Sequence, residues 1–303
     1  MTARTQGYLF VCITMCIWGG FTILSRLNLH WHVSAWDLVA MRFAIAFIIL
    51  MPVLLYKKDL AFLWHPRPII LALTGGLAYC LTVYTAFLQA PAAHAAIFLN
   101  GCIPLCTAVA AYLLFKQPFD KHTWLSLIIM LSALALMSYL MLHEQASAFG
   151  LGDVLYFLSA VWWGIFTVLL KQWKLSAWHS MASVAIWSAL IYLPIYILFI
   201  PKHFQEAEPV HLLVQGVFHG VLVVIIATLT YVAAIERLGA FKTGSIVTLA
   251  PFIAAVIAVP LLNEPLSPAI MCGLVGMGIG ALQPWRWFRK DALTAQLSQQ
   301  KQD

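Results

Sequence analysis

Ten long apolar runs limit what this chain can fold into more than any other feature of its sequence. A helix needs about 20 predominantly apolar residues to cross the hydrocarbon core of a membrane, and each run is close to that length. Only 9% of the residues are charged and 63% are hydrophobic, which leaves too few charges for the surface of an ordinary soluble domain. The approximate bounds of the runs are 7–26, 36–56, 69–88, 93–115, 122–142, 152–171, 177–200, 212–235, 240–262 and 267–288.

The runs are continuous, whereas the strands of membrane β-barrels alternate polar and apolar residues over about ten positions. We therefore predict an all-α integral membrane protein with ten transmembrane helices. The connections between the runs are short and contain most of the charges, so none is long enough to form a separate soluble domain.

The distribution of lysine and arginine predicts the orientation. With a cytoplasmic N-terminus, fourteen of the 17 cationic residues fall in cytoplasmic segments, Arg26 and Lys202 fall outside, and Arg42 lies within the second run. Short cytoplasmic loops of membrane proteins carry an excess of Lys and Arg. We expect a multi-pass protein of the cell (inner) membrane with both termini cytoplasmic. Because this rule accounts for the net charge of +6, we expect no nucleic-acid partner.

The two halves of the sequence repeat one another. "WGGFTIL" begins at Trp18 and "WGIFTVL" begins at Trp163, with five of seven positions identical. Further identities fall 142 to 147 positions apart: Ser34–Trp36 with Ser176–Trp178, Tyr84 with Tyr231, and Pro104 with Pro251. We divide the chain into two five-helix repeats, 1–146 and 147–290, followed by a polar cytoplasmic tail, 291–303.

An odd number of spans in each repeat has a topological consequence. The second half must enter the membrane from the opposite side, which predicts an inverted repeat with a pseudo-twofold axis in the membrane plane. Oppositely inserted copies of one fold can exchange conformations and expose a central site to either side in turn. The alternative is that the repeat only records a gene duplication and builds a scaffold.

Three stretches carry a family resemblance: "WGGFTILSR", "MRFAIAFIILMP" and "IERLGAFKTGSIVTLAPFIAAVIAVPLLNEPLSP". Together they resemble the drug/metabolite transporter superfamily, EamA-like branch, over about residues 7–288. The resemblance implies ten helices and export of small metabolites, amino acids or drugs across a cytoplasmic membrane. Members often carry Glu after the fourth span, as Glu264 stands after the ninth, but the first-half counterpart here is Gln117.

Prolines inside two equivalent runs indicate a candidate site. Proline removes a backbone donor, and the freed carbonyls of a membrane helix need partners in protein or in a wet cavity. We place Asn100, Pro104, Thr248 and Pro251 near a central cavity. The alternative is that the prolines only kink the helices for packing.

Aromatic residues form a second, symmetric set of candidates. Such side chains bind planar or cationic substrates by stacking and cation–π attraction. The alternative for each of them is helix packing or the interfacial aromatic belt. The predicted substrate-binding residues of this set are Trp18, Phe21 and Thr22 with their mates Trp163, Phe166 and Thr167, and the pair Tyr84 and Tyr231.

Two ionisable residues, Arg42 and His94, are candidates for a charge or proton role. A charge at the bilayer centre costs at least about 2.5–3.5 kcal/mol, so such groups are normally buried and paired. Arg42 neutralises a substrate carboxylate in one interpretation, and in the other it snorkels or binds backbone carbonyls. His94 is either a proton relay or a satisfied interfacial histidine.

The sequence lacks a clustered nucleophile, a metal-ligand spacing and an ATP-binding Gly-Lys-Ser/Thr loop, so we predict no enzyme activity, no metal and no cofactor. The predicted function is a secondary transporter that exports small metabolites, amino acids or drugs by alternating access. The alternative is a membrane-embedded lipid-scrambling or structural protein. The expected partners are a small-molecule substrate and the lipid bilayer, and the sequence leaves open whether the chain forms a homodimer.

Reporter fusions test the predicted orientation. Alkaline phosphatase fused within residues 28–34 should be active, because that connection is predicted to be external and the enzyme needs an oxidising compartment for its disulfides. The same reporter in the matched connection 58–65 or at the C-terminus should be inactive. Activity at the C-terminus would contradict an even number of spans.

Overall fold

The computed structural model describes residues 2–118, 121–143, 149–238, 243, 246–247, 250–263 and 267–282, and the regular structure there is entirely helical. Short 3₁₀ turns at Ala61–Trp64 and Phe204–Glu206 lie in two of the connections. The helices are α1 Ala3–Leu27, α2 Ala35–Lys57, α3 Pro66–Gln89, α4 Ala92–Phe115, α5 Lys121–His143, α6 Leu151–Trp173, α7 Ala177–Phe199, α8 Pro209–Leu238, α9 Ala250–Leu262 and α10 Pro268–Leu282.

Seven of these helices are long and apolar enough to cross a membrane: α1, α2, α3, α4, α6, α7 and α8. Within the described residues, α5 and α10 contribute shorter apolar stretches, Lys121–Met137 and Pro268–Gly280. The all-α, multi-pass membrane architecture predicted from the apolar runs is therefore confirmed. Ten crossings stay a prediction, and the tail 291–303 lies outside the described residues.

The repeated "SAW" sequence has a local structural explanation. Ser34 and Ser176 are the N-caps of α2 and α7, and their hydroxyls accept hydrogen bonds from the backbone N–H of Asp37 at 3.1 Å and of His179 at 3.2 Å. A serine in this position satisfies a backbone donor that has no partner within the helix. The two repeats therefore begin their second helix in the same way.

Helix packing follows the repeat. α1 packs against α8 and α9, and α6 packs against α3 and α4. α2 contacts α8 as α7 contacts α3, while α2 packs on α7 and α5 packs on α10. If each helix is replaced by its equivalent in the other repeat (α1 by α6, α6 by α1, and so on), the same set of contacting pairs results. The packing pattern is therefore shared by the two halves.

Contacts among connections and helix termini define two ends of the bundle. At the end formed by the α6–α7 connection, the indole N–H of Trp178 in the first turn of α7 donates to Asp59 Oδ2 in the α2–α3 connection at 3.2 Å. At the opposite end, formed by the α1–α2 connection, Arg26 Nη1 donates to Phe87 O at 2.7 Å. We refer to these as the α6–α7 end and the α1–α2 end.

Polar contacts hold α2 and α7 together at both ends. At the α1–α2 end, the buried Asp37 carboxylate accepts hydrogen bonds from the Tyr196 hydroxyl and, at 3.0 Å, from His203 N. At the α6–α7 end, Asp59 Oδ2 lies 3.1 Å from His179 Nε2. Asp37 and His179 occupy equivalent positions in the repeats. The helix N-terminus therefore carries the acid at the α1–α2 end and the histidine at the α6–α7 end.

Three helices contain π-helical segments, which are frequent at functional sites. They span Ala72–Ala78 in α3, Ala95–Gly101 in α4 and Phe218–Ile226 in α8. The segments in α3 and α8 fall at equivalent positions, because a shift of 147 residues carries the first into the second. The equivalent helices α3 and α8 therefore contain a π-helical segment at the same position in the two repeats.

Gly164 permits the close approach of α6 and α4. A Cβ atom there would lie 2.8 Å from Thr107 N and 2.9 Å from Cys106 C, both in the α4 backbone. The equivalent Gly19 is less crowded, since its added Cβ would meet only Ala250 O at 3.7 Å, an ordinary contact. Equivalent glycines of the two repeats therefore differ in what they tolerate.

Alanine at these two positions should give different results. Gly164→Ala forces α6 and α4 apart, and overpacking of this kind costs about 1–3 kcal/mol. Gly19→Ala is the matched control and should unfold close to wild type in a thermal melt of the detergent-solubilised protein. Equal melting temperatures for the two variants would contradict the close α4–α6 contact.

Candidate functional site

A cavity of about 360 Å³ lies between α1, α2, α3, α6, α7 and α8. This volume is in the range of sites for small organic ligands, about 300–1,000 Å³. Both repeats contribute to its walls, so it is a shared cavity. The lining residues are Trp18, Arg42, Gly75, Trp163, Phe166, Leu170, Leu175, Ala177, Ser180, Met181, Val184, Val223, Val224, Thr228, Tyr231 and Val232.

The cavity extends toward one end of the bundle. Its α6 residues lie in the second half of that helix, its α7 residues lie in the first half, and Leu175 belongs to the connection between them. The α8 residues lie in the second half of α8, which runs toward the same end. The cavity therefore reaches from the middle of the bundle to the α6–α7 end.

Aromatic rings form part of the wall. The Trp18 ring lies 5.2 Å from the Tyr231 ring between centroids, and the Trp163 ring lies 5.2 Å from Phe166 and 4.8 Å from Tyr79. These separations are within the range of favourable aromatic pairs. Three residues predicted from the repeat, Trp18, Trp163 and Tyr231, are thus brought to one cavity.

Arg42 lines the same cavity and is only 6% exposed. Its Nη1 donates a hydrogen bond to the Tyr84 hydroxyl at 2.8 Å, while its buried Nε has no partner among the described residues. The sequence offered two alternatives to substrate binding for Arg42: snorkelling to the interface and binding to backbone carbonyls. The observed hydrogen bond to a side-chain hydroxyl is neither of these. Asp37, the nearby acid in the sequence, is bound by Tyr196 instead.

A buried cluster closes the α1–α2 side of the cavity. The Tyr84 hydroxyl lies 2.9 Å from His219 Nδ1, and the Phe21 ring packs against both the Tyr84 and His219 rings. Phe21 also contacts Phe87 edge-on at 5.8 Å. Tyr84 is 1% exposed and His219 is fully buried, so the cluster excludes solvent. We call Phe21, Arg42, Tyr84, Phe87 and His219 the closing cluster.

Equivalent tyrosines have different surroundings. Tyr84 is buried in the closing cluster, whereas Tyr231 is half-buried on the cavity wall. The position equivalent to Arg42 is Val184, which is also on the wall. The two halves share an architecture but are not in the same local state, because the ionisable residues Arg42 and His219 of the closing cluster have the apolar residues Val184 and Ala72 at the equivalent positions of the other repeat.

The remaining described candidates lie away from the cavity lining. Thr22 is buried on α1, and the Thr167 hydroxyl donates to Trp163 O within α6. Asn100 lies in the π segment of α4, and its Nδ2 donates to Ala95 O at 3.4 Å. Pro104 is exposed on the surface of α4. The structure does not bring these residues to the cavity that contains Trp18 and Trp163.

Two predicted site residues fall at the edge of what the structure describes. Thr248 lies outside the described residues. Pro251 is in the first turn of α9, and only its backbone is described. The role of both residues in a site stays a prediction.

His94 is paired deep in the protein. Its Nδ1 lies 2.7 Å from Asp153 Oδ1, and both side chains are 1% exposed. The pair joins the start of α4 to the start of α6, and Asp153 Oδ2 also accepts a hydrogen bond from Gly150 N. Neither residue lines the cavity, so any role in proton movement would act from outside the cavity.

Several wall and cluster residues were not singled out from the sequence. Ser180 and Thr228 supply hydroxyl groups, and Gly75 lets α3 approach the ring of Phe166. A small polar residue in an apolar helix is too common to mark a site. His219 carried the clearer signal as a lone imidazole in the eighth run, but its partner Tyr84 is 135 residues away.

The described residues contain no group of three His, Cys, Asp or Glu side chains arranged to hold a metal ion. The polar chemistry at the cavity comes instead from one guanidinium, the hydroxyls of Ser180, Thr228 and Tyr231, and the aromatic rings. Such a wall can bind and orient an organic molecule.

The chain is similar to known proteins over nearly its whole length. The model of the EamA-like transporter family matches residues 5–139 and matches again at residues 150–283, one match for each repeat. A solved crystal structure with 20% sequence identity has a TM-score of 0.61 to this chain, and the alignment covers 93% of this chain and 96% of that one. The likeness shows a shared fold. No curated protein matches the sequence significantly.

Removing the Tyr84 hydroxyl should destabilise the protein more than removing its repeat mate. Tyr84→Phe leaves the buried Arg42 and His219 nitrogens without their partner, and such a loss costs about 1–3 kcal/mol. Tyr231→Phe is the matched control, since no described residue hydrogen-bonds its hydroxyl. The two variants are compared by thermal unfolding in detergent. Equal losses would contradict the hydrogen bonding of the closing cluster.

Proposed function

Because the chain belongs to the EamA-like transporter family, we propose that it is a secondary transporter that exports small organic molecules by alternating access. The observation that carries the proposal is the shared cavity, which extends to one end of the bundle and is closed at the other. Its wall contains the repeat mates Trp18 and Trp163.

The packing pattern supports an inverted repeat of two five-helix halves, 1–146 and 147–290. The main contacts between the two halves, α1 with α8 and α9 and α6 with α3 and α4, are equivalent to one another when every helix is exchanged for its repeat mate. Five spans in each half place the two copies in opposite senses in the membrane. Ten crossings are then required, with α5, α9 and α10 completing the seven long apolar helices.

The charge distribution supports a cytoplasmic location for the α6–α7 end. Lys57, Arg67, Lys171, Lys174 and Arg237 all stand at helix termini of that end. Lys and Arg concentrate on the cytoplasmic side of membrane proteins. The cavity in this state is therefore open to cytosolic substrates, as an exporter requires, and both chain termini are cytoplasmic.

Export then needs the closing cluster to separate and the α6–α7 end to close. The repeat supplies residues for the second closure, because Phe166 and Tyr231 are the mates of Phe21 and Tyr84. When the two halves exchange conformations, the wall aromatics take up positions like those of the closing cluster. A substrate held between them is carried from one side to the other.

The closing cluster biases this equilibrium. Arg42 and His219 hydrogen-bond Tyr84 in the cytoplasm-facing state, and Val184 and Ala72 stand at their equivalent positions in the repeat. Hydrogen bonds to charged groups contribute about 1.5–3 kcal/mol. The protein therefore rests open to the cytoplasm, where it collects its substrate.

A sensitivity panel tests the function. Cells that express the protein should resist or release particular drugs, amino acids or metabolites that cells without it retain. Trp163→Ala, at equal expression, should reduce this effect by about tenfold, equivalent to about 1.4 kcal/mol of lost binding. Trp64→Ala, which changes a side chain that is 83% exposed in a connection, is the control and should behave as wild type.

The competing function predicts a different result. Purified protein that moves fluorescent phospholipids between leaflets of proteoliposomes, without moving any solute of the panel, would favour lipid scrambling and contradict the proposal. If Trp64→Ala reduced resistance or release as much as Trp163→Ala does, the result would contradict a role of the cavity in transport.

A further inference from the structure

We propose that the cavity selects planar apolar molecules that bear one carboxylate, and that Arg42 is the residue that binds this carboxylate. The proposal rests on the proposed transport function and assigns the substrate class of the same cavity. The family match and the shared fold say nothing about the charge of the substrate.

Arg42 is the only charged side chain among the described residues that line the cavity. No Asp or Glu of the described residues forms an ion pair with it. Its one hydrogen bond to a described residue is to the neutral Tyr84 hydroxyl. The guanidinium is therefore uncompensated at the inner limit of a cavity within the membrane.

An uncompensated guanidinium at this depth is costly, and the cost falls when an anion binds. Charged side chains inside membrane proteins are usually paired or mark substrate pathways. Asp37 and Asp153, the buried acids nearest the α1–α2 end, are bound by Tyr196 and by His94. The cavity is the open space from which an anionic ligand can reach Arg42 and supply the counter-charge.

Tyr84 fixes the orientation of the guanidinium. Nη1 is held at 2.8 Å by the Tyr84 hydroxyl, which His219 in turn holds at 2.9 Å, and Nε is buried without a partner. Arginine binds carboxylates through two parallel charge-assisted hydrogen bonds when its fork is oriented in advance. Nη2, the remaining nitrogen, has no hydrogen bond to a described residue and belongs to a side chain that is held in place on the cavity wall.

The rest of the wall determines the body of the substrate. It is apolar and aromatic, with hydroxyls only at Ser180, Thr228 and Tyr231. Aromatic walls also attract cations, but the positive charge of Arg42 within the same small cavity opposes them. At about 360 Å³ the cavity has room for one small aromatic acid and is too small for a two-chain phospholipid.

The approach to the cavity is also positive. Lys174 directly precedes Leu175, a wall residue, and Lys171 directly follows the wall residue Leu170. Basic residues at the mouth raise the local concentration of anions. Both the entrance and the inner limit of the cavity therefore favour a negative ligand.

Three indoles that differ in charge test the proposal: indole-3-acetate, the neutral indole-3-ethanol and the cationic tryptamine. Binding is measured by calorimetry on the full chain in phosphatidylcholine nanodiscs, and efflux is measured from preloaded proteoliposomes. Wild type should bind indole-3-acetate at least about tenfold more tightly than indole-3-ethanol, since one charge-assisted pair is worth that much. Tryptamine should bind most weakly.

The variants separate recognition from folding. Arg42→Gln should abolish the preference for the acid while still binding indole-3-ethanol, and Arg42→Lys should keep part of the preference. Arg67→Gln removes an exposed arginine outside the cavity and should behave as wild type. Binding of indole-3-ethanol by Arg42→Gln also shows that this variant is folded.

Two results would overturn the assignment and leave the transport function intact. One is efflux of the indoles without preference for the acid, or with preference for tryptamine. The other is a preference for the acid that persists in Arg42→Gln. Failure of all three indoles to bind or move would overturn the aromatic substrate class, and the sensitivity panel decides separately whether the protein is a transporter.

Discussion

A single positive charge inside an apolar bundle is the constraint on which the rest of this structure depends. Arg42 has no acidic partner among the described residues, so the Tyr84 hydroxyl is the described group that hydrogen-bonds its guanidinium at the cavity wall. Tyr84 is held by His219 and packed against Phe21, which makes the same contacts responsible for closing one end of the bundle. The contacts that hold the charged side chain are therefore the same contacts that close the cavity on this side.

Duplication gives this bundle two copies of the same parts in two different states. Tyr84 is buried in the closing cluster while Tyr231 stands on the cavity wall, although both occupy the same place in their repeats. Asp37 at the start of α2 is bound by His203 N beyond the end of α7. His179, the equivalent residue at the start of α7, is bound by Asp59 beyond the end of α2. The difference between the copies, rather than their likeness, gives the structure a closed side and an accessible side.

Most of the fold could be predicted from the sequence because its signals are local. Apolar runs of about 20 residues specify helices in a membrane, and the repeated serines specify where α2 and α7 begin. Trp18, Trp163, Tyr231 and Arg42 could be selected as candidates because each is unusual in its run or matched across the repeat. All four line the cavity.

The contacts around those residues could not be predicted, because they depend on how each helix is rotated. Asp37 and Arg42 are five residues apart, which puts them about 140° apart around α2, so they face different neighbours. The partner of Arg42 is Tyr84 on another helix, and Pro104 points away from the cavity although its position in the run suggested otherwise. An apolar run predicts that a helix forms. It does not predict how that helix is rotated about its axis when the helix is apolar on all sides.

Sided thiol labelling of the repeat mates Ala177 and Ala35 tests whether one cavity opens to the two sides of the membrane in turn. Ala177 lines the cavity at the α6–α7 end, while Ala35 is 5% exposed at the α1–α2 end. In a chain without its native cysteines, Ala177→Cys should react with an impermeant maleimide from the cytoplasmic side at rest. Ala35→Cys should react only from the external side and only during transport, as Ala177→Cys becomes protected. Reaction of both cysteines from one side, or no change in either during transport, would contradict the account.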